Sequence, residues 1–203
     1  MIVIIIADSF KKGMKSRGCA GLLPYNKHTN LIQQQYAAIT KVFPKADIVY
    51  VYGFDAKRFD NFIHSHKSLD IEFIQNKDYE NYSHGKSLSV VKNHIANSRE
   101  CLIMLGYDPI YVKDIKPIKD IKKSSVLLAD NSRSKIGCVV DQHTGSIHHL
   151  FFDLENHISD TYLLKTPEIK ILIDLLQDNS IYNMFLFEIM NKILHNSGHL
   201  QAI

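Results

Sequence analysis

A chain of 203 residues, 45% hydrophobic and 22% charged, holds enough apolar content for one sizeable core and has the balance of a soluble globular protein. Its formal charge of +3 suits an anionic ligand, and the absence of aromatic–basic interleaving argues against a nucleic-acid binder. Cys19, Cys101 and Cys138 stand in no metal spacing, the N-terminus lacks a basic leader, and no stretch is long enough to span a bilayer, so reduced thiols and a cytoplasmic location are expected.

The run from Ile2 to Ala7 predicts a buried first strand. Asp8 and Ser9 end it, and a loop follows that carries Lys11, Lys12, Gly13, Lys15, Arg17, Gly18 and Gly21 before closing on Leu22-Leu23-Pro24. Open α/β sheets build phosphate sites in this way, because glycine lets the backbone approach an anion and cationic side chains supply charge where strands end. The same loop also reads as plain surface with solvated lysines. Thr29 is placed to cap a helix that buries Leu31, Ile32, Tyr36, Ile39, Val42 and Phe43 and stops at Pro44. Asp47–Phe54 predicts a second strand. Asp55 then caps a short helix burying Phe59, Phe62 and Ile63, and Asp70–Gln75 alternates as a third strand. A helix from Lys86 to Ala96 follows the polar Asn76–Gly85 segment, and Cys101–Gly106 is a fourth apolar run. This alternation predicts an α/β protein with parallel crossover units and a sheet covered on both faces.

The second half is built differently. Lys113–Lys123 is lysine-rich and reads as a solvated linker or short helix. Ser125–Ala129 and Ile136–Val140 look like strands, with Asp141–Gly145 turning into Ser146–Phe152 as a hairpin and Thr161–Leu164 as one more short strand. Thr166-Pro167-Glu168 has the form of a helix start, a second helix spans Ile181 to His195, and the tail after Gly198 could form a last strand.

Chemistry-bearing residues are sparse. Asp108 follows the fourth strand, where open sheets place ligands and a carboxylate can hold a divalent ion against phosphates; it also reads as a turn residue before Pro109. His64 with His66, and His148 with His149, point to different faces and form no chelating pair. Neither a P-loop nor a dinucleotide fingerprint is present.

Four stretches resemble the sugar-nucleotide and CTP-dependent nucleotidyltransferases, the family with the nucleotide-diphosphosugar transferase fold. Ile4-Ile5-Ile6-Ala7 and the basic loop are similar to the family's apolar strand and glycine-rich loop. Leu22-Leu23-Pro24-Tyr25-Asn26-Lys27, with Leu31 and Gln35, resembles its stretch leading into the first helix, and Asp47–Phe54 its second strand. Asn76, Tyr79, Ser87 and Leu88, then Leu105-Gly106-Tyr107-Asp108, resemble its later nucleotide segment and its metal motif. The resemblance implies a three-layer, Rossmann-like, GT-A-like sheet, mixed but mostly parallel, with helices on both faces and a small hairpin and helical second half. It implies one domain over residues 1–203, with a nucleotide-binding half at 1–112 and an acceptor half at 113–203.

It further implies transfer of a nucleoside monophosphate from a nucleoside triphosphate to a phosphorylated sugar, choline or polyol, with release of pyrophosphate. The triphosphate would lie on Ala7, Asp8, Ser9 and Gly13, and the base and ribose near Gly85, Ser87 and Leu88. Lys15, Arg17 and Lys27 would supply charge and Asp108 would hold Mg²⁺. Asp8 and Ser9 replace the family's small residues, and Tyr107 replaces the glycine before the aspartate. The family's last metal-binding strand would come after Ile203, so Asp8 is expected to be recruited as the second metal ligand, ahead of Asp141, Asp153 and Asp160. The alternative is an inactive fold kept as a structural subunit, with protein partners or a homo-oligomer.

Overall fold

Five consecutive apolar residues can be buried together only where both faces of a strand are covered, and Ile2–Ile6 (β1) is buried along its whole length. In the computed structural model, which describes residues 1–9, 15–129 and 135–203, β1 lies between Asp47–Tyr52 (β2) and Glu100–Leu105 (β4) and runs parallel to both. Glu72–Gln75 (β3) extends this parallel set beyond β2. On the other side Asn156–Lys165 (β8) pairs antiparallel with β4, followed by Ser125–Leu128 (β5) and Gln201–Ala202 (β9). The order is β3-β2-β1-β4-β8-β5-β9, with the hairpin of Ile136–Val140 (β6) and Ile147–Phe152 (β7) attached through β8.

Alternate residues of β1 serve two cores. Val3 and Ile5 face Leu31–Val42 (α1), Ala56–Ser65 (α2) and the Val112–Ile115 turn (α5), while Ile2, Ile4 and Ile6 face His84–Val90 (α3), Lys92–Ala96 (α4), Thr166–Leu175 (α6) and Leu186–His195 (α7). The parallel sheet covered on both faces is therefore present as expected, and both halves of the chain contribute strands to it.

Several local expectations are corrected. Asn30, not Thr29, caps α1: its Oδ1 accepts from the Gln33 N–H at 3.2 Å while Gln33 Oε1 accepts from the Asn30 N–H at 3.0 Å. Asp55 makes no side-chain cap and takes a left-handed backbone, φ 58°. The helix expected from Lys86 to Ala96 breaks into α3 and α4 at Val90-Val91, a β-branched pair poorly suited to a helix interior. Thr166 is the first residue of α6 and not its cap; its hydroxyl donates to the Arg99 carbonyl at 3.2 Å. The expected Ile181–His195 helix is a 3-10 turn over Asn179–Asn183 and then α7. The strand expected at Thr161–Leu164 runs for ten residues, one end on β4 and the other on β6. The final strand is present, on the free side of β5. All three cysteines are free and buried, and among the described residues no helix is long and apolar enough to cross a membrane.

Candidate active site

Parallel strands leave their last carbonyls and amides at one edge, and here three strand ends are tied together there. The Ala7 N–H donates to Val51 at 3.0 Å, the Phe54 N–H to the Asp8 carbonyl at 2.7 Å, and the Gly106 N–H to Ile6 at 2.7 Å. The loop after β1 and the turn after β4 are thus adjacent, and the Ser9 and Tyr107 hydroxyls, 2.5 Å apart, join them again.

The turn after β4 is held by two consecutive glutamines of α1. Gln35 Nε2 donates to the carbonyls of Gly106 and Asp108 at 3.2 and 2.9 Å. Gln34 accepts from the Ile110 N–H at 3.1 Å and donates to its carbonyl at 2.5 Å. A glutamine pair that satisfies four backbone groups fixes the turn without regular structure. Asp108, half-buried, lines a cavity of about 280 Å³ together with Tyr107, Asp114, Ser159 and Asp160. It therefore emerges at the carboxyl edge of the sheet, beside the β1 loop.

Asp8 meets a different fate. It is 2% exposed and is not among the residues lining the Asp108 cavity. Its Oδ2 accepts from Ser87 Oγ at 2.6 Å and from Asn76 Nδ2 at 2.7 Å, so it ties the β1 end to α3 and to the end of β3. Burial pushes its carboxyl up from the usual range, against the lowering effect of these hydrogen bonds. Burial, and then the charge of Asp8, also pushes the Tyr107 phenol up.

The other expected residues are distributed around these two aspartates. Ser87 is committed to Asp8, and Leu88 is fully buried in the core. Gly85 is packed so tightly on the 3-10 turn before α7 that a Cβ would overlap the Ile181 carbonyl oxygen. Arg17 and Lys27 are both exposed, Lys27 at the tip of a small closed loop bridged at Pro24 and Asn30. Lys15 opens a 3-10 turn over Lys15–Arg17, and Gly13 lies outside the described residues. Gln34 and Asp114 had no marker in the sequence, and Asp160 entered only as a poorer second metal ligand than Asp8. Asp160 reaches the site only through the antiparallel pairing of β8 with β4, which no local pattern announces.

Hard oxygen donors at the Asp108 cavity suit Mg²⁺, which is commonly bound by one or two carboxylates with substrate phosphates completing its shell. Among the described residues no group of three or more metal-ligating side chains comes together, so an all-protein cage is not what this site offers.

No family model matches the sequence, and no curated protein matches it. Solved structures do. The CTP:phosphocholine cytidylyltransferase of Streptococcus pneumoniae superposes with a TM-score of 0.73 at 13% identity, covering 100% of this chain and 89% of that one. The inositol-1-phosphate CTP transferase of T. maritima gives 0.73 at 9% identity, over 100% and 84%. A nucleoside-diphosphate-sugar pyrophosphorylase of Vibrio cholerae RC9 gives 0.71 at 8% identity, over 100% and 91%. With the β3-β2-β1-β4-β8 order and Asp108 at the carboxyl edge of β4, these superpositions establish that the chain has the nucleotide-diphosphosugar transferase-like fold.

Proposed function

We propose that the protein is a Mg²⁺-dependent nucleotidyltransferase that moves a nucleoside monophosphate from a nucleoside triphosphate to a small phosphorylated acceptor. The observation that carries this reading is the placement of Asp108, half-buried at a cavity on the carboxyl edge of β4 and adjacent to the β1 loop. Structural neighbours named for transfer of CTP to phosphocholine or to inositol 1-phosphate support the reaction class.

In this reading the loop of Ala7, Asp8, Ser9 and Gly13 receives the triphosphate, and Lys15, Arg17 and Lys27 neutralise it. The base and ribose rest against the Gly85–Leu88 segment through its backbone, since Ser87 and Leu88 have their side chains engaged elsewhere. Asp108 would hold Mg²⁺, which when bound offsets phosphate charge and orients the two reacting phosphates. An acceptor phosphate oxygen attacks the α-phosphorus in line, the bond to the β-phosphate breaks, and pyrophosphate leaves. Such a reaction needs positioning and charge neutralisation more than a covalent nucleophile, and none is needed from this chain. Asp8 is assigned to shaping the loop rather than to the ion, because it is buried outside the Asp108 cavity lining and its Oδ2 already accepts from Asn76 and Ser87.

A thermal-shift screen of CTP, UTP, GTP and ATP with Mg²⁺ or Mn²⁺ tests this, because a ligand selective for the folded state raises its melting temperature. One nucleotide is expected to stabilise the protein in a metal-dependent manner and then to yield pyrophosphate with a phosphorylated acceptor. No response to any nucleotide at millimolar concentration would favour a fold retained as a structural or interaction subunit.

A further inference from the structure

Three alternate carbonyls of the segment after β4, those of Gly106, Asp108 and Ile110, accept from side chains of a single helix, the first two from Gln35 and the third from Gln34. Such alternation belongs to a strand laid against a neighbour, yet this segment is a turn and its neighbour is a pair of side-chain amides. Gln35 is fully buried, and its Nε2 has two hydrogens to give, one for each of its two carbonyls. Gln34 spends both ends of its amide on Ile110. Both glutamines stand on α1, whose register is set by the Asn30–Gln33 capping box and by the burial of Leu31, Ile32, Ile39 and Val42.

Asp108 lies inside these grips. Gln35 holds its carbonyl, Pro109 confines it to extended backbone, and Ile110 beyond is held at both its N–H and its carbonyl. The direction in which a side chain leaves the chain follows from the backbone on either side of it. The amide pair therefore aims the carboxylate that lines the cavity. Aim matters most for Mg²⁺, which demands near-octahedral geometry, and groups that orient a ligand from behind commonly govern how well the ion binds.

We propose that Gln35 is the positioning residue for the Asp108 carboxylate, with Gln34 as its support, and that this pair sets how strongly a bound divalent ion favours the nucleotide; the assignment rests on the nucleotidyltransferase reading. Both act through the backbone of the turn, so their contribution should vanish when the carboxylate itself is removed.

The test measures that coupling without turnover. The non-reacting α,β-methylene analogues of CTP, UTP, GTP and ATP are titrated calorimetrically into the full chain in Mn²⁺ and again in EDTA, and the ratio of the two affinities is the metal-dependent gain. Gln35→Met, similar in size but without a donor, should lower this gain by about 10- to 100-fold, the usual loss when an orienting partner is removed. Gln34→Met should lower it less, and the affinity in EDTA should stay as in wild type in both. Combined with Asp108→Asn, Gln35→Met should add little, since two residues acting through one group are not additive. A thermal melt of each preparation establishes folding; if Gln35→Met does not fold, the half-buried Gln34 position decides alone. A gain unchanged in every folded glutamine variant, an equal fall in EDTA, full additivity with Asp108→Asn, or no gain in wild type would overturn the assignment. Pyrophosphate release from CTP, UTP, GTP and ATP with phosphorylated acceptors judges the transferase reading separately. Release by wild type with the gain intact in Gln35→Met removes this inference alone, and a gain that depends on Gln35 without any release removes the transferase reading alone. Failure of wild type to bind any analogue removes both.

Discussion

Two neighbouring strands, β1 and β4, each end in an aspartate at the same edge of the sheet, and the two aspartates have different surroundings. Asp8 is 2% exposed, with donors from Asn76 and Ser87 on its Oδ2. Asp108 is half-buried, its backbone gripped by Gln35 and its residue lining a cavity. Position after a parallel strand is therefore not sufficient to make a carboxylate available. What surrounds it decides, because a buried acceptor recruits donors and a cavity leaves room for a ligand.

The largest expected effect separates the two directly. Asp108→Asn should lower nucleotidyl transfer by about 10²–10³-fold, as loss of a preorganised charge at the reacting phosphates does, with little change in melting temperature. Comparing initial pyrophosphate release with a thermal melt of the same preparation checks both halves of that statement.

Asp8 should behave in the reverse sense. Asp8→Ala leaves Ser87 Oγ and Asn76 Nδ2 buried without their acceptor and should cost about 2–3 kcal/mol. Asp8→Asn retains an acceptor oxygen and should cost less, about 1 kcal/mol. Urea unfolding measures both; an Asp8→Ala variant as stable as wild type would show that the hydrogen-bond cluster contributes nothing.

Titration sharpens the contrast among buried groups. For His84 the unfolded imidazole protonates near 6.5 and the folded one only at about 4. Protons in that window therefore favour the unfolded chain, and stability should fall as pH drops from 6.5 towards 4, by up to about 3 kcal/mol. Asp8, raised by burial, has the opposite sign: it favours folding below the usual carboxylate range and this is lost as pH rises through its folded value. Denaturation curves of wild type and His84→Gln across that window should converge at the acidic end if the imidazole is the cause.

Much of the fold could be read from local pattern. The apolar runs of β1, β2 and β4 are continuous because both faces are covered, and such runs are visible without knowledge of partners. β8 was only half visible. Its Tyr162-Leu163-Leu164 end packs in the main sheet, but Asn156 to Asp160 is polar and pairs at long range, with Asp160 at φ 53°. Hence Asp160, ranked below Asp8 from the sequence, lines two cavities. The place of Asp108 at the sheet edge was legible from strand position alone, whereas the donors to Asp8 Oδ2 come from Asn76 and Ser87, distant in sequence. The backbone-holding role of Gln34 was equally hidden, because an exposed-looking glutamine beside Gln35 carries no motif of its own.

The most direct test of the account is pyrophosphate release from the stabilising nucleotide, with Mg²⁺ and a phosphorylated acceptor, measured side by side for wild type, Asp8→Asn and Asp108→Asn. Release by wild type, retained by folded Asp8→Asn and lost by folded Asp108→Asn, is the predicted result. Activity that survives Asp108→Asn, or that disappears equally in a fully folded Asp8→Asn, would contradict the division of labour between the two strand ends.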